Sequence, residues 1–269
     1  MALTPSQVEE FLAFAYSLAD AAGAITLKHF RTRLGFDNKR EHGFDPVTLA
    51  DRDAEESIRT LIEKTYPSHG ILGEEHGKKP SANGLTWVID PIDGTRSFIT
   101  GNPLWGTLIA LSDEGGPILG VLDQPFIAER FWGVRGGIAA YSRAGAVALL
   151  KTRQCGQLGD AMLSTTAPEV FESKKEFAAF NAVARTTRLT RYGGDCYQYG
   201  LLAMGSLDLV IEATLQPYDI HALIPIIQSA GGIVTNWQGA SAADGGRIIA
   251  AGDRRLHEAA LKVLHDALR

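Results

Sequence analysis

The chain has 269 residues and a mass of 29.0 kDa, with 45% hydrophobic and 21% charged residues. This composition excludes an intrinsically disordered chain, because enough apolar side chain is present to offset the entropy lost on ordering. The net charge of −5 argues against a nucleic-acid-binding protein, since such proteins usually carry a basic patch.

The first predicted element is a long amphipathic helix. Thr4-Pro5-Ser6-Gln7 has the pattern of a capping box with proline at the first helical position, and apolar residues follow at helical spacing. The polar segment 35–45 is typical of a mobile loop, and a second helix is predicted over residues 48–65. Strands are then predicted at 87–89, 107–111, 118–122 and 130–133, in an antiparallel or mixed sheet.

Strands and helices alternate in the rest of the chain. The predicted strands lie near 161–165, 207–211, 232–235 and 248–250, and the predicted helices near 174–184, 196–204, 221–230 and 256–267. Pro225 should kink the third of these helices. We therefore expect an α+β protein with helices layered on sheets. It should form a single domain over 1–269, with an N-terminal α+β part of about 1–150 and a C-terminal α/β part of about 151–269.

The segment 87–95, Trp-Val-Ile-Asp-Pro-Ile-Asp-Gly-Thr, ends an apolar strand with two carboxylates. Asp90 and Asp93 flank the carbonyl of Ile92, and oxygen donors of this kind suit a hard divalent cation. If Gly94 and Thr95 begin a helix, their N–H groups would point at a phosphate above the metal. For either aspartate in isolation, the competing interpretation is a turn that uses Asp, Pro and Gly for backbone reasons alone.

Three further acidic residues become informative only in combination. Glu74, in Gly-Glu-Glu, is by itself a candidate for a solvated surface residue. Asp219 is by itself a candidate N-cap of the predicted 221–230 helix. Asp51 resembles the last residue of a capping box that begins at Thr48. Without cations, a convergence of these carboxylates with Asp90 and Asp93 would raise their pKa values.

Together, Glu74, the run 90–95 and Asp219 resemble the inositol monophosphatase-like, magnesium-dependent phosphatases, from about residue 8 to the C terminus. The resemblance implies a layered αβαβα sandwich of the inositol monophosphatase and fructose-1,6-bisphosphatase type, and a homodimer. It implies two to three Mg²⁺ per active site. Their implied ligands are Glu74, Asp90 and the Ile92 carbonyl for the first, Asp90, Asp93 and Asp219 for the second, and Glu74 with Asp51 for a looser third.

The same resemblance implies catalytic roles for Glu74, Thr95 and Asp51, with Thr95 orienting the attacking water. It implies that Asp93, Gly94 and Thr95 bind the phosphate. Tyr218 departs from the family, which usually has tryptophan before the second-site aspartate. Metal ions in such a site lower the pKa of a bound water and clamp the transferring phosphoryl group.

Within the family, the segments 105–109, 193–197 and 217–219 resemble the histidinol-phosphate phosphatases. By this resemblance Gly194, Asp195 and Glu212 line the leaving-group side of the pocket. The two carboxylates could receive the ammonium and imidazole groups of histidinol, although Asp195 could instead cap the predicted 196–204 helix. Lys39 is a candidate to approach the phosphate when the 35–45 loop closes, and a solvated surface lysine is the alternative.

The sequence therefore predicts a Mg²⁺-dependent phosphate monoester hydrolase that acts on L-histidinol phosphate. The alternatives are an inositol-1-monophosphatase or another small sugar or nucleotide phosphatase, and a metal-binding regulatory protein without turnover. Cys155 and Cys196 lack CxxC spacing, which favours a reducing compartment. The N terminus has no signal-peptide pattern, and no stretch has the roughly 18 apolar residues of a membrane span. We expect a cytoplasmic protein that binds neither nucleic acid nor membrane.

Overall fold

The computed structural model describes residues 3–32, 35–38 and 46–269. The described N-terminal part contains α1 (Pro5–His29), β1 (Phe36–Asn38), β2 (Pro46–Thr48), α2 (Leu49–Thr65), β3 (Gly70–Gly73), β4 (Gly77–Lys79), β5 (Thr86–Asp93), α3 (Thr95–Ile99), β6 (Gly106–Asp113), β7 (Gly116–Gln124), β8 (Glu129–Val134), β9 (Ala139–Arg143) and β10 (Ala146–Leu149). The C-terminal part contains β11 (Met162–Thr165), α4 (Lys174–Ala184), β12 (Leu189–Tyr192), α5 (Asp195–Ala203), β13 (Leu209–Leu215), α6 (Pro217–Ile220), α7 (Leu223–Ser229), β14 (Ile233–Asn236), β15 (Gly246–Ala251) and α8 (Arg254–Leu268).

Two large sheets organise the molecule. The first has the strand order β10-β9-β8-β7-β6-β5-β3-β4, and the second has the order β12-β11-β13-β15-β14. The first sheet is antiparallel except where β3 runs parallel to β5. In the second sheet β11 runs parallel to both neighbours, whereas β15 runs antiparallel to both of its own. The predicted mixed character is therefore confirmed for the first sheet.

The helices form three layers around these sheets. Helices α1 and α2 pack on the outer face of the first sheet, where Leu18, Ile58 and Trp87 are buried together. Helices α5 and α7 lie between the two sheets, and α4 and α8 cover the far face of the second sheet. The predicted layered α+β sandwich is confirmed, and the middle layer is the one that reaches the acidic residues described below.

Helix α1 begins as the sequence predicts, with a Thr4–Gln7 capping box and Pro5 in its first turn. By length and composition alone this helix could cross a membrane. Its residues Phe11, Ala15 and Leu18 are instead buried against α2 and the first sheet. The apolar character of α1 is therefore explained by the packing of this helix in the outer layer.

The predicted 221–230 helix is wrong in its boundaries. Helix α6 begins at Pro217, so Asp219 lies inside its first turn and not before a helix. A second helix, α7, follows after a break at His221 and Ala222. Pro225 lacks an N–H and cannot donate to the carbonyl four residues earlier, which accounts for an interruption at this point.

Helix α7 lies unusually close to the first sheet. A Cβ added to Gly120 on β7 would stand 1.9 Å from the carbonyl oxygen of Ala222, and one added to Gly133 on β8 would stand 2.5 Å from Cα of Ile226. The two glycines therefore let the helix backbone rest directly on the strands. This contact sets the height of α6, and so of Asp219, above the sheet.

The segment predicted as a loop over 35–45 is partly a strand. Residues 36–38 form β1, which pairs antiparallel with β2. Lys39, with the rest of that predicted loop up to residue 45, lies outside the described residues.

Candidate active site

The end of β5 carries two aspartates on one side of the sheet. Asp90 pairs with Leu108 of β6 and Asp93 pairs with Gly106, so β5 has one extra residue between the two pairs. Such a bulge offsets the alternation of side chains along a strand. Asp90 stabilises the bulge by accepting the N–H of Ile92 at 3.0 Å. Two carboxylates three residues apart therefore face the same cavity.

Gly94 and Thr95 begin a helix, as predicted. Gly94 is the N-cap of α3 with φ of +87°, a conformation that favours glycine. A Cβ at this position would also stand 3.0 Å from Cβ of Asp195. The Thr95 hydroxyl donates to the Ile92 carbonyl at 3.2 Å and lies 3.5 Å from Oδ1 of Asp51. The hydroxyl is thereby oriented between a carbonyl and a buried carboxylate.

Asp219 completes a compact group of three carboxylates. The Gln216 N–H donates to its Oδ2 at 2.6 Å, so Asp219 does close a capping box at the start of α6. It also offers an oxygen that lies within 4.8 Å of carboxylate oxygens on Asp90 and Asp93. Asp219 is therefore not the N-cap of a 221–230 helix, and its place in the capping box of α6 is compatible with metal binding.

Glu74 reaches the same group from the neighbouring strand. In the parallel pair of β3 and β5, Gly73 stands beside Ile89, so Glu74 follows at the level of Asp90. Asp51 lies in the first turn of α2, fully buried, and accepts the Thr48 N–H at 2.8 Å. The predicted Thr48–Asp51 capping box is confirmed, and Asp51 faces Thr95 through its other oxygen.

Burial and mutual repulsion strongly raise the pKa values of the three clustered carboxylates, Asp90, Asp93 and Asp219. Burial raises the pKa of Asp90 well above its ordinary value, and the charges of Glu74 and Asp93 raise it further. Burial, followed by the charges of Asp219 and Asp195, does the same to the pKa of Asp93. The pKa of Asp219 rises to about 7, chiefly through burial. Buried, mutually repelling carboxylate oxygens are the donor set that a hard divalent cation such as Mg²⁺ satisfies.

The clustered carboxylates Asp90, Asp93 and Asp219 line a cavity of about 320 Å³. Arg96 is the single arginine or lysine among the described residues that line this cavity. The acidic side chains that line it are Glu74, Asp90, Asp93, Glu169, Glu172, Asp195, Glu212 and Asp219. A cavity with this charge would repel a phosphate monoester unless cations were bound.

Asp195 and Glu212 line this cavity, whereas Gly194 is not among the residues that line it. Ser97 donates to Oδ2 of Asp195 at 2.8 Å, and burial raises the pKa of Asp195 to about 6. Glu212 accepts the Thr166 N–H and the Tyr199 hydroxyl, each at 2.9 Å, and burial raises its pKa.

The proposal that Asp195 caps α5 is wrong. Gly194 is the N-cap of this helix, with φ of +142°, and Asp195 is its first residue. The next residue, Cys196, donates its N–H to Oδ1 of Asp93 at 2.8 Å. The start of α5 therefore positions Asp195 in the cavity wall and, through the Cys196 N–H, holds Asp93 in the carboxylate cluster.

Sequence reasoning missed several residues that position the site. Glu55, Ser97 and Tyr199 each hold a site residue or the turn next to one. Glu55 had a usable signal, because it stands four residues after Asp51 and so on the same face of one helix. Ser97 and Tyr199 had none, since their partners are distant in sequence or on another strand.

The sequence matches the inositol monophosphatase family over residues 7–269. The chain belongs to this family. It is 42% identical to the bifunctional phosphatase IMPL2 of Arabidopsis thaliana, over 97% of this chain and 77% of that protein. It is 37% identical to a histidinol-phosphatase of Chlorobaculum parvum, over 85% of this chain and 86% of that protein.

Among solved structures, an inositol monophosphatase from Zymomonas mobilis is 42% identical and superposes with a TM-score of 0.85, over 96% of this chain and 98% of that one. Membership of the inositol monophosphatase family identifies the chain as a phosphatase that hydrolyses phosphate monoesters.

Proposed function

We propose that this phosphatase is Mg²⁺-dependent and that its substrate is L-histidinol phosphate. The choice of substrate rests on Asp195, a half-buried carboxylate that accepts the Ser97 hydroxyl in the wall of the cavity lined by Asp90, Asp93 and Asp219. A relative named histidinol-phosphatase, 37% identical over most of both chains, supports the same choice.

The donor set accounts for two to three metal ions. The ligands that we propose are Glu74, Asp90 and the Ile92 carbonyl for the first, Asp90, Asp93 and Asp219 for the second, and Glu74 with Asp51 for a third. The Ile92 oxygen already accepts the Thr95 hydroxyl, but a carbonyl has two lone pairs and can serve both. When bound, Mg²⁺ would lower the pKa of a coordinated water and offset the charge of the phosphoryl group.

The protein groups around the reacting atoms have separate tasks. The Thr95 hydroxyl donates towards Ile92 and Asp51, so its free lone pair can accept a hydrogen bond from the attacking water. The N–H groups of Gly94 and Thr95, at the start of α3, donate to phosphate oxygens. Asp93 is held by the Cys196 N–H. Phosphoryl transfer needs little beyond such positioning and charge stabilisation.

The residues on the leaving-group side of the cavity determine which phosphate ester the enzyme accepts. With a pKa of about 6, Asp195 is ionised at neutral pH and can accept charge-assisted hydrogen bonds from the ammonium of histidinol. Glu212 can accept a further hydrogen bond from the same ligand, and Gly194 is the N-cap of the helix whose first residue is Asp195. Inositol offers hydroxyl groups and no positive charge, so it gains less from these carboxylates.

A second candidate is an inositol-1-monophosphatase, or a phosphatase of another small sugar or nucleotide. The observation that favours it is the 42% identity to the Zymomonas mobilis inositol monophosphatase over nearly the whole chain. Glu212 can accept hydroxyl hydrogen bonds as readily as ammonium ones, so Asp195 must distinguish the two candidates.

Initial rates on histidinol phosphate, inositol 1-phosphate and adenosine bisphosphate, at one Mg²⁺ concentration, test the proposal. We expect histidinol phosphate to have the highest kcat/KM. Asp195→Asn should lower that value about tenfold or more, because a hydrogen bond to a charged group contributes about 1.5–3 kcal/mol. Its kcat/KM for inositol 1-phosphate should change little.

Three outcomes would contradict parts of this proposal. Full histidinol phosphate turnover by Asp195→Asn, with normal metal binding, would exclude the ammonium contact. Phosphate release that resists EDTA would exclude metal dependence. Absence of release from every substrate would favour a metal-binding regulatory protein.

We further propose a homodimer in the cytoplasm that binds neither nucleic acid nor membrane.

A further inference from the structure

The carboxylate of Glu74 is carried by a three-residue turn. Strands β3 and β4 form a hairpin in which Gly73 pairs with Gly77, and residues 74–76 connect them. Residue 76 is exposed and residues 74 and 75 are half-buried, and the direction of a side chain on so short a turn depends on the backbone that carries it. What holds this turn in place therefore determines where Glu74 points.

The turn rests on a buried carboxylate of α2. Glu55 is fully buried, and its Oε2 accepts the Glu75 N–H at 2.7 Å while its Oε1 accepts the His76 N–H at 3.0 Å. Nη1 of Arg59 donates to the same Oε1 at 3.0 Å and to the Gly77 carbonyl at 3.0 Å. One carboxylate and its ion-pair partner thus bind the backbone of the turn at three consecutive residues.

Gly73 provides the space that Glu55 occupies. A Cβ on Gly73 would stand 2.1 Å from Oε1 of Glu55, and the three atoms nearest to it all belong to that carboxyl group. The φ of Gly73 lies outside the left-handed region, so alanine would fit the backbone. The conflict of an alanine at this position is therefore with the Glu55 carboxylate.

We propose that Glu55 is a positioning residue that sets the metal affinity of the active site. It binds the backbone that follows Glu74 and packs against Gly73 before it, and so directs the Glu74 carboxylate towards Asp90. This inference rests on the proposed role of Glu74 as a metal ligand. Groups that orient a metal ligand typically contribute a factor of about 10–100 in metal affinity.

The test is calorimetric titration of the full-length protein with Mg²⁺, together with thermal unfolding in EDTA. Glu55→Gln keeps the volume but places an NH₂ group opposite a backbone N–H. We expect a Kd for Mg²⁺ raised about tenfold or more, with kcat at saturating Mg²⁺ changed far less. Glu56→Gln is the matched control, since Glu56 is the exposed neighbour on the same helix, and its Kd should equal that of the wild type.

Three further variants, Gly73→Ala, its combination with Glu55→Gln, and Glu55→Asp, separate positioning from charge and from loss of folding. Gly73→Ala keeps Glu55 but displaces its carboxylate, so it should raise the Kd as Glu55→Gln does. The double variant should add little to either, because both act on one contact. Glu55→Asp keeps the charge but shortens the reach, and should also raise the Kd. If Glu55→Gln does not fold, Gly73→Ala and Glu55→Asp carry the test.

The outcomes are distinguishable from failure of the proposed function. A wild-type Kd in Glu55→Gln or Gly73→Ala, or full recovery in Glu55→Asp, would overturn the positioning role. A fall in melting temperature without a change in Kd would overturn it too, leaving Glu55 a structural ion pair. Glu74→Gln tests the premise: if Glu74→Gln also leaves the Kd unchanged, the proposed metal site is wrong, whatever Glu55 does.

Discussion

At the scale of single residues, the rim of the cavity holds two backbone conformations that side chains rarely adopt. Thr214, on β13, has φ of +66° and Asp195 has φ of +41°. A β-branched residue in this region is unusual, and the left-handed conformation costs roughly 1–2 kcal/mol. The Thr214 hydroxyl lies 2.6 Å from the Ala213 carbonyl oxygen and 3.3 Å from that of Val170, which places it beside the cavity wall at Glu169 and Glu172. The strained backbone of Thr214 thus forms part of the cavity wall.

We predict that Thr214→Gly is more stable than Thr214→Ala by about 1 kcal/mol, because both lose the hydroxyl but only glycine relieves the strain. At a strand position with a negative φ, the alanine variant would be the more stable of the two. Urea unfolding of the two variants measures the difference. Equal stability, or a more stable alanine variant, would show that the left-handed conformation at Thr214 costs little.

The cluster of three carboxylates, Asp90, Asp93 and Asp219, predicts that the stability of the protein depends on pH and on Mg²⁺. The pKa of Asp219 is about 7 in the folded protein, against an ordinary value of 3.8. Between these values the unfolded state has released a proton that the folded state retains, so stability falls as the pH rises. Bound Mg²⁺ reverses this penalty, because it binds the ionised form.

Melting curves at pH 5 and pH 8, with EDTA or with Mg²⁺, measure this effect. At about 100 times its Kd, Mg²⁺ adds about 2.7 kcal/mol, which is about 5 °C or more, and we expect that rise at pH 8 and a smaller one at pH 5. Asp219→Asn should melt higher than the wild type in EDTA at pH 8 and should gain less from Mg²⁺ than the wild type does, because it loses a ligand of the proposed second ion. A wild-type protein indifferent to Mg²⁺ at pH 8 would contradict the prediction.

At the scale of elements, the position of α6 and α7 depends on the two glycines beneath them. We predict that Gly120→Ala lowers the free energy of unfolding by about 3 kcal/mol, the upper range for overpacking, because its Cβ would meet the Ala222 carbonyl. Since Ala222 follows Asp219 by three residues, Mg²⁺ affinity should fall as well. Denaturant titration and calorimetry measure both effects. Gly159→Ala is the control, since nothing lies within 4 Å of a Cβ there, and equal effects of both variants would refute the packing argument.

The sequence predicts elements well where periodicity is long or the capping residues are explicit. Helices α1 and α2 begin at the predicted capping boxes of Thr4 and Thr48. The division of α6 from α7 was missed, because residues 222–227 are all apolar and only Pro225 among them marks a change. The hairpin of β3 and β4 was also missed. Each of its strands is too short for alternation to show, and it is stabilised by Glu55 on a different element.

The candidate site shows the same limit. The carboxylates could be named from their motifs, and the structure places Glu74, Asp90, Asp93, Asp195 and Asp219 around one cavity. The bulge that aligns Asp90 with Asp93 depends on pairing with β6, which the strand sequence does not encode by itself. Contacts such as Ser97 with Asp195 join residues 98 positions apart and need the whole fold.

At the scale of the whole molecule, the proposed homodimer requires an exposed surface. Strand β10 is the edge of the first sheet, with Val147 and Leu149 exposed to 65% and 73%. Exposed apolar edge strands favour association. We predict a solution mass of about twice 29.0 kDa, and a monomer for the double variant Val147→Lys, Leu149→Lys.

Light scattering after size exclusion measures these masses. Leu189→Lys, on the edge strand β12 of the second sheet, is the control and should leave the mass unchanged. A monomeric wild type would refute the homodimer, and a dimeric double variant would place the interface elsewhere.

The cavity takes its acidic side chains from both parts of the chain, since Asp90 and Asp93 come from the first sheet and Asp195 and Asp219 from elements after residue 190. A polypeptide still on the ribosome therefore has no complete candidate site until α6 has been synthesised and folded onto β5. A prematurely terminated product could contain the whole Asp-Pro-Ile-Asp-Gly-Thr run and still lack Asp219. For this architecture, the presence of that run in a gene fragment identifies ancestry and does not imply a working hydrolase.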